Sequence, residues 1–295
     1  MNILSFDIEE WFIKKAYFGG HSDHYEAFDR YLGEILDLLD ERQFQATFFV
    51  VGMMGKEFPH VVKRIQEHGH EIGCHSNVHA WLNKMSKDEV LEDTKQAIDN
   101  LEQCIGVKVK SYRAPAFSIG NDNRWTFDVL ASCGIENDAS VFPASIAFGG
   151  FPDFRYGQPV LIETPFGVIK EFPVAMTHLF GKTIAFSGGT YFRIFPLWLV
   201  DRQMKKNPYN ICYFHIGDLI PSSRRFMSRR EYEAYFKEPG TLMNRCKRHL
   251  KSNVGSKTAF ERMCQLIRTR EFLSIAQAQE RINWTNCPSM RWYQS

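Results

Sequence analysis

Short apolar runs alternate with segments of helical periodicity from residue 2 onward, and few folds accept that alternation. It is the pattern of βαβ units, in which successive strands lie parallel and helices cover the sheet. Asn2 to Asp7 is expected as the first strand, and Ala46 to Val51 (ATFFVV) is unbroken apolar sequence, as in a strand buried on both faces. Glu71 to Cys74, Lys108 to Arg113 and Ile135 to Asp138 follow as strands, with Asn210 to His215 (NICYFH) as a late core strand. Between them, Tyr25 to Arg42 sets Phe28, Leu32, Ile35, Leu36 and Leu39 on one helical face. Helices are also expected over Pro59 to His68, Arg124 to Cys133 and Pro196 to Lys206. Ser86 and Glu89 form a capping box ahead of Leu91, Thr94, Ile98, Leu101 and Ile105, and Gly106 stops that helix. From Pro143 to Phe195 the alternation degrades into Gly- and Pro-punctuated β segments, which implies an insertion or an irregular barrel wall. Ser228 to Ile282 is mainly helical in pattern.

The chain's 295 residues, 44% of them hydrophobic, suffice for one large core, and α/β barrels commonly run to about 250 residues as a single domain. A formal charge of +2 gives no reason to expect nucleic acid as a partner. The seven cysteines include no C-x-x-C pair, so free thiols in a reducing compartment are expected rather than a disulfide framework or a cysteine-held zinc. MNILSFDIEEWF has no basic segment ahead of an apolar one, and no apolar run approaches the roughly 18 residues of a spanning helix. A cytoplasmic location is the expectation, with peripheral contact at the membrane's cytoplasmic face left open.

In parallel α/β barrels the carboxyl ends of the strands and the following loops build the site, and the chemically capable residues fall there. Asp7 and Glu9 stand two apart at the end of the first strand, so extended backbone would aim both carboxylates to one side. Such acids also serve as ordinary helix caps, and Glu10 is a rival for the second place. In GCHSNVHAW, His75 and His79 have the spacing that brings two imidazoles to one ion from one helical turn. With one carboxylate they make a set that leaves coordination positions open for water and substrate. Arg113 in SYRAPAF, stiffened by Pro115, suits the task of holding a buried carboxylate ionised. Asp138 ends the fifth strand and His215 the late one, and a histidine steered by an aspartate is a natural general acid. Each of these alone is as readily a core or surface residue.

Taken in order, FDIEEW, HSNVH, RAPAF, ENDAS and YFH resemble the polysaccharide deacetylase family, the nodulation-protein deacetylase homology group within family four of the carbohydrate esterases. The stretches around SGGTYFRIFP and FHIGDL resemble a bacterial subgroup associated with export-polysaccharide gene clusters. The resemblance implies an irregular (β/α)7-type parallel barrel over residues 1–220, with a mainly helical extension over 221–295 packed on it. It further implies Asp7 as catalytic base, Glu9, His75 and His79 as ligands of a divalent metal, and Arg113 as the tether of the base. His215 is implied as catalytic acid and Asp138 as the residue that orients it. The family's commonest pattern has two adjacent aspartates, whereas Ile8 separates the acids here and the second is a glutamate. Zinc is what the resemblance favours, while manganese, iron, cobalt and nickel also suit such ligands.

The implied reaction is removal of the N-acetyl group from an amino sugar of a polysaccharide, an oligosaccharide or a lipid-linked sugar. An oxyanion donor is expected near the N–H of Ala116 or Phe117, and Trp11, Trp81 and Phe117 are expected as apolar walls for a sugar ring. The basic stretch with Arg224, Arg225, Arg229 and Arg230 beside Phe226 and Met227 suits lipid phosphates or a diphosphate-linked sugar, but more readily a solvated helix start. The alternatives are a related C–N hydrolase that removes a formyl group or opens a cyclic amide, and a non-catalytic carbohydrate-binding scaffold.

Overall fold

The computed structural model describes residues 1–20, 22–179, 181–221 and 225–291, so Arg224 lies outside the described residues. In chain order the elements are β1 (Asn2–Ile8), α1 (Glu10–Tyr17), α2 (Ser22–Arg42), β2 (Thr47–Val50), α3 (Gly52–Glu57), α4 (Pro59–Glu67) and β3 (Glu71–Cys74). Then come α5 (Lys87–Ile105), β4 (Ser111–Tyr112), α6 (Thr126–Ser132), β5 (Asn137–Asp138), β6 (Val160–Thr164), β7 (Gly167–Glu171), β8 (Met176–Leu179) and β9 (Lys182–Ala185). The remainder is α7 (Gly189–Ile194), α8 (Leu197–Lys206), β10 (Asn210–His215), α9 (Ile216–Leu219), α10 (Arg229–Phe236), α11 (Leu242–Asn253), α12 (Ser256–Thr269), α13 (Ile275–Arg281) and β11 (Ser289–Arg291).

The main sheet runs β10-β1-β2-β3-β4-β5-β7-β6-β11, and its first seven strands are all parallel. This is the α/β class that the alternation implies. No pairing joins β10 to β11 among the described residues, yet the sheet is rolled. Flat neighbours would set β1 and β4 about 14 Å apart at the usual strand spacing. Instead Arg113, just past β4, reaches Ser5 and Asp7 of β1, and the ring of Phe117 meets that of Tyr213 in β10 at 5.1 Å. The Tyr209 hydroxyl, ahead of β10, donates to Pro173 O beyond β7 at 2.8 Å, tying the two ends of the parallel run together.

Local sequence explains most boundaries. The five apolar residues of α2 singled out by their spacing are all buried against the sheet, and the Ser86–Glu89 box caps α5, which ends on Gly106 with φ of 72°. Strand β4 is shorter than the sequence implies because Val109 N–H donates to Glu102 Oε1, tying its leading residues to the end of α5 instead of a neighbouring strand. The irregular stretch contains two antiparallel hairpins, β6–β7 and β8–β9, and β7 also takes the seventh parallel place beside β5.

The segment after α12 seals the amino end of the rolled sheet. Leu4 N–H donates to Leu273 O and Leu273 N–H to Asn2 O, both at 3.0 Å. At the start of α13, Ile275 N–H donates to Thr47 Oγ1 and Ala276 N–H to Glu71 Oε2, while Glu71 also accepts from Thr47 and Ser111. The opposite, carboxyl end stays polar.

Candidate active site

Parallel register brings the polar residues to one level: Asp7 of β1 lies opposite His215 of β10, and His75 and Arg113 directly follow β3 and β4, whose Cys74 and Tyr112 are paired. Side-chain alternation along β1 puts Ser5 and Asp7 inside the roll while Phe6 and Ile8 pack in the surrounding core.

Arg113 is 1% exposed and spends its guanidinium inward. Its Nη1 donates to Asp7 Oδ1 at 2.7 Å, Nη2 to Ser5 Oγ at 2.9 Å and Nε to Ala139 O at 3.2 Å, above the Phe49 ring at 4.2 Å. Burial alone would raise the pKa of Asp7, but Arg113, followed by the imidazoles of His75 and His215, pulls it below the ordinary aspartate value. Asp7 is therefore an ionised carboxylate with one oxygen held and the other, Oδ2, 3.6 Å from His215 Nε2.

Glu9 does not continue the strand. Its φ of −136° and ψ of −20° turn the chain into α1, so Asp7 and Glu9 meet across a strand-to-helix bend, not along one extended face. Its Oε2 lies 2.6 Å from His79 Nε2 and 3.4 Å from His75 Nε2. Glu10 turns elsewhere: it accepts from Gly217 N–H at 2.5 Å, and burial together with the charge of Glu9 raises its pKa to about 7.

The histidine pair is also positioned differently from expectation. Residues 75–79 form a non-helical loop in which Ser76 (φ 63°) and His79 (φ 58°) are left-handed, conformations that cost a non-glycine residue on the order of 1 kcal/mol each. Ala80 N–H to Ser76 Oγ and Asn77 N–H to Asp93 Oδ2, both at 2.9 Å, hold that shape. His75 Nδ1 sits 2.7 Å from Arg113 O, an acceptor only, so Nδ1 carries the hydrogen and Nε2 points its lone pair toward Glu9.

One carboxylate oxygen and two ring nitrogens thus lie within 4.8 Å of one another. Despite the short approach of His79, no hydrogen bond of acceptable direction reaches the buried Glu9 Oε2. Three donor atoms facing one point without satisfying each other fit a divalent cation, and the mixed N/O set suits a borderline metal.

His215 faces this centre, with Nε2 3.8 Å from Glu9 Oε1. Burial works against its protonation, but the charges of Glu9, Asp7, Asp218 and Glu10 together raise its pKa. Asp218, one turn further on, places Oδ2 3.8 Å from His215 Nδ1 and is itself 3.5 Å from Arg193. Asp138, expected beside His215, is instead fully buried behind Arg113, where it accepts from Ser140 N–H and Oγ–H. It is paired with Glu171, whose carboxyl is driven well above the usual range by burial and by the charge of Asp138. Sequence spacing could not reveal Glu171, which arrives from the irregular wall, whereas Asp218 was visible as an acid three residues after His215.

Of the expected walls, Trp11 is fully buried, with Nε1 donating to Asp29 and its ring 5.2 Å from Phe28; it belongs to the core beneath α2. Trp81 stays partly exposed against Phe148 at 4.7 Å. Ala116 and Phe117 are both left-handed, at φ of 54° and 50°. Phe117 N–H donates to Ala114 O, so of the two amides Ala116's remains as the oxyanion candidate. Tyr235 of α10, not anticipated, lies parallel over His79 at 6.2 Å and roofs the histidine side of the centre.

The rolled, mostly parallel sheet and the cluster at the carboxyl end of its strands define an α/β protein in which Glu9, His75 and His79 form a candidate metal site. Comparison with known proteins narrows the class. The family described as polysaccharide deacetylase matches residues 23–137, and a domain of unknown function, DUF3473, matches residues 139–280. A peptidoglycan-N-acetylglucosamine deacetylase of Bacillus cereus is 36% identical over 31% of this chain and 34% of its own length. A chitooligosaccharide deacetylase of Sinorhizobium fredii is 32% identical over 34% of this chain and 44% of its own. The chain thus spans between a third and a half of the length of these curated relatives. A solved structure from Mycobacterium smegmatis, named for the same family, superposes at a TM-score of 0.63 and 16% identity, covering 100% of this chain and 93% of that one, which shows the fold alone. The likeness to the polysaccharide deacetylase family is thus carried by residues 23–137, and the fold of the solved structure extends over the whole chain.

Proposed function

We propose that this protein is a metal-dependent N-deacetylase acting on an amino sugar of a surface polysaccharide, an oligosaccharide or a lipid-linked sugar. The observation that carries the reading is the meeting of Glu9, His75 and His79 beside an arginine-tethered Asp7 and a protonatable His215. Glu9, His75 and His79 would hold the metal, zinc by family likeness. When bound, a divalent ion supplies Lewis acidity toward the acyl oxygen and toward water.

Asp7, kept ionised by Arg113, takes the proton from the attacking water; its Oδ2 is the oxygen not occupied by that tether. Ala116 N–H offers a hydrogen bond to the oxyanion, of a kind worth about 3 kcal/mol when well aimed. His215, its pKa raised by the surrounding carboxylates, gives its proton to the departing sugar amine, so that acetate and a free amine leave. Asp218, rather than Asp138, is the acid placed to orient it.

The test is acetate release from N-acetylated chito-oligosaccharides and from peptidoglycan fragments, the substrate types named for the relatives, before and after chelation and with Zn(II) restored. Release that chelation abolishes and zinc restores supports the proposal. Formate release from N-formyl sugars in place of acetate would move the assignment to a related C–N hydrolase. No turnover of either acyl class, together with failure to retain stoichiometric metal, would leave a carbohydrate-binding scaffold.

A further inference from the structure

Helix α11, Leu242–Asn253, has the sequence LMNRCKRHLKSN and only Ser252 among its residues is buried. Its inner side is fixed by polar contacts: Arg245 Nη1 donates to Met227 O at 3.1 Å, the Arg248 guanidinium lies 4.6 Å over Phe236, and Arg193 donates to the carbonyls of Lys251 and Ser252. The apolar residues are therefore on the other side. Leu242, Met243 and Leu250 are 64%, 65% and 69% exposed. At about 100° per residue they fall in one arc with the exposed Cys246, and Lys247 and Lys251 border it.

An amphipathic helix normally buries its apolar arc in the protein. Here that arc faces out, α11 contains no acidic residue, and Lys247 and Lys251 have no ion-pair partner among the described residues. A protruding apolar arc edged by lysines complements an anionic phospholipid surface, whose headgroups attract the cations while its acyl region receives the leucines and methionine. Beyond the helix, Gly255 packs so closely on Arg193 that a Cβ there would meet Arg193 O at 2.1 Å, and Val254 and Ile194, each next in sequence to one partner of that contact, are exposed. Attachment to the site is direct. Arg248 packs on Phe236 of α10, the helix whose Tyr235 roofs His79.

We propose that the outward face of α11 docks this protein on an anionic lipid bilayer, setting the polar centre one helix away from the membrane surface. The proposal concerns α11 rather than the basic stretch that runs into the start of α10, and it is independent of the reaction assigned above.

The experiment is co-sedimentation of the full chain with vesicles of phosphatidylcholine alone and of phosphatidylcholine with phosphatidylglycerol, at low and high salt. Binding is expected on the anionic vesicles and is expected to weaken with salt. K247Q/K251Q should bind roughly 30-fold more weakly, at about 1 kcal/mol for each basic residue. L242Q/M243Q/L250Q should lose partitioning with no drop in Tm, since none of the three is buried. Absence of binding to anionic vesicles overturns the proposal, as does lysine-independent binding. A solution dimer dispersed by the triple variant, without vesicle binding, would assign the face to a second copy of the chain and overturn it too. Each of these readouts is binding, so a failure here leaves the deacetylase assay untouched.

Discussion

Arg113 Nη1 and Asp7 Oδ1 are 2.7 Å apart with both side chains almost fully buried, joining residues 106 positions apart across the inside of the sheet. Two buried charges of this kind are costly to separate, because removing one strands the other in a medium that solvates it poorly. Arg113→Met should destabilise the fold by about 3–5 kcal/mol in urea titration and abolish turnover. Asp7→Leu combined with Arg113→Met should recover part of the stability and none of the activity. If the double variant loses the full sum of the two single losses, the pair is not coupled.

His215 offers a kinetic distinction between two aspartates. The negative charge of Asp218, 3.8 Å from Nδ1, helps raise the histidine's pKa, whereas Asp138 is engaged with Ser140 and Glu171. Asp218→Asn should move the alkaline limb of kcat/KM to lower pH and reduce kcat by roughly tenfold. Asp138→Asn should change stability more than the position of that limb. Identical pH profiles for Asp218→Asn and the unaltered protein would return the orienting role to another group.

Metal occupancy should register as stability. A ligand that binds only the folded chain stabilises it by about 2.7 kcal/mol at a hundred times its Kd. Zn(II) should therefore raise the Tm of chelated protein, and His75→Ala or His79→Ala should remove that rise. Glu10→Gln should retain it, because the Glu10 carboxyl is directed to Gly217 N–H and not to the imidazoles. Loss of the zinc-induced rise in Glu10→Gln alone would exchange the roles of the two glutamates.

The α/β class was legible because it depends on periodicity, which each segment carries within itself, and the buried face of α2 and the cap of α5 follow from their own residues. The positions of Asp7, His75, Arg113 and His215 at strand ends were legible for the same reason. What the sequence concealed depends on backbone turns and on partners from distant elements. Glu9 reaches the histidines through a bend, and the histidines meet through a left-handed loop rather than a helical turn. Asp138 is engaged by Ser140 and Glu171, and Trp11 fills the space under α2, two outcomes set by packing between elements that no local pattern encodes.

His70, far from the cluster, gives the pH dependence of stability a separable component. Its ring stacks on Phe48 at 5.1 Å, is 5% exposed, and neither nitrogen finds a hydrogen-bonding group among the described residues. Burial pushes its pKa down to about 4, against an ordinary value of 6.5. As pH falls through 6.5 the unfolded chain takes up this proton before the folded one does, so stability declines, and the loss is complete below pH 4. By pH 5 the decline should reach roughly 2 kcal/mol, at about 1.4 kcal/mol per pH unit. Glu171, with its raised pKa, acts in the opposite sense by losing stability as pH rises, so the unaltered protein's curve alone mixes the two. His70→Leu isolates the imidazole while keeping an apolar neighbour for Phe48. Its stability relative to the unaltered protein should grow by about 2 kcal/mol between pH 7.5 and pH 5 in urea titrations. A gap that stays constant over that interval would mean that His70 becomes protonated in the folded chain as easily as in the unfolded one.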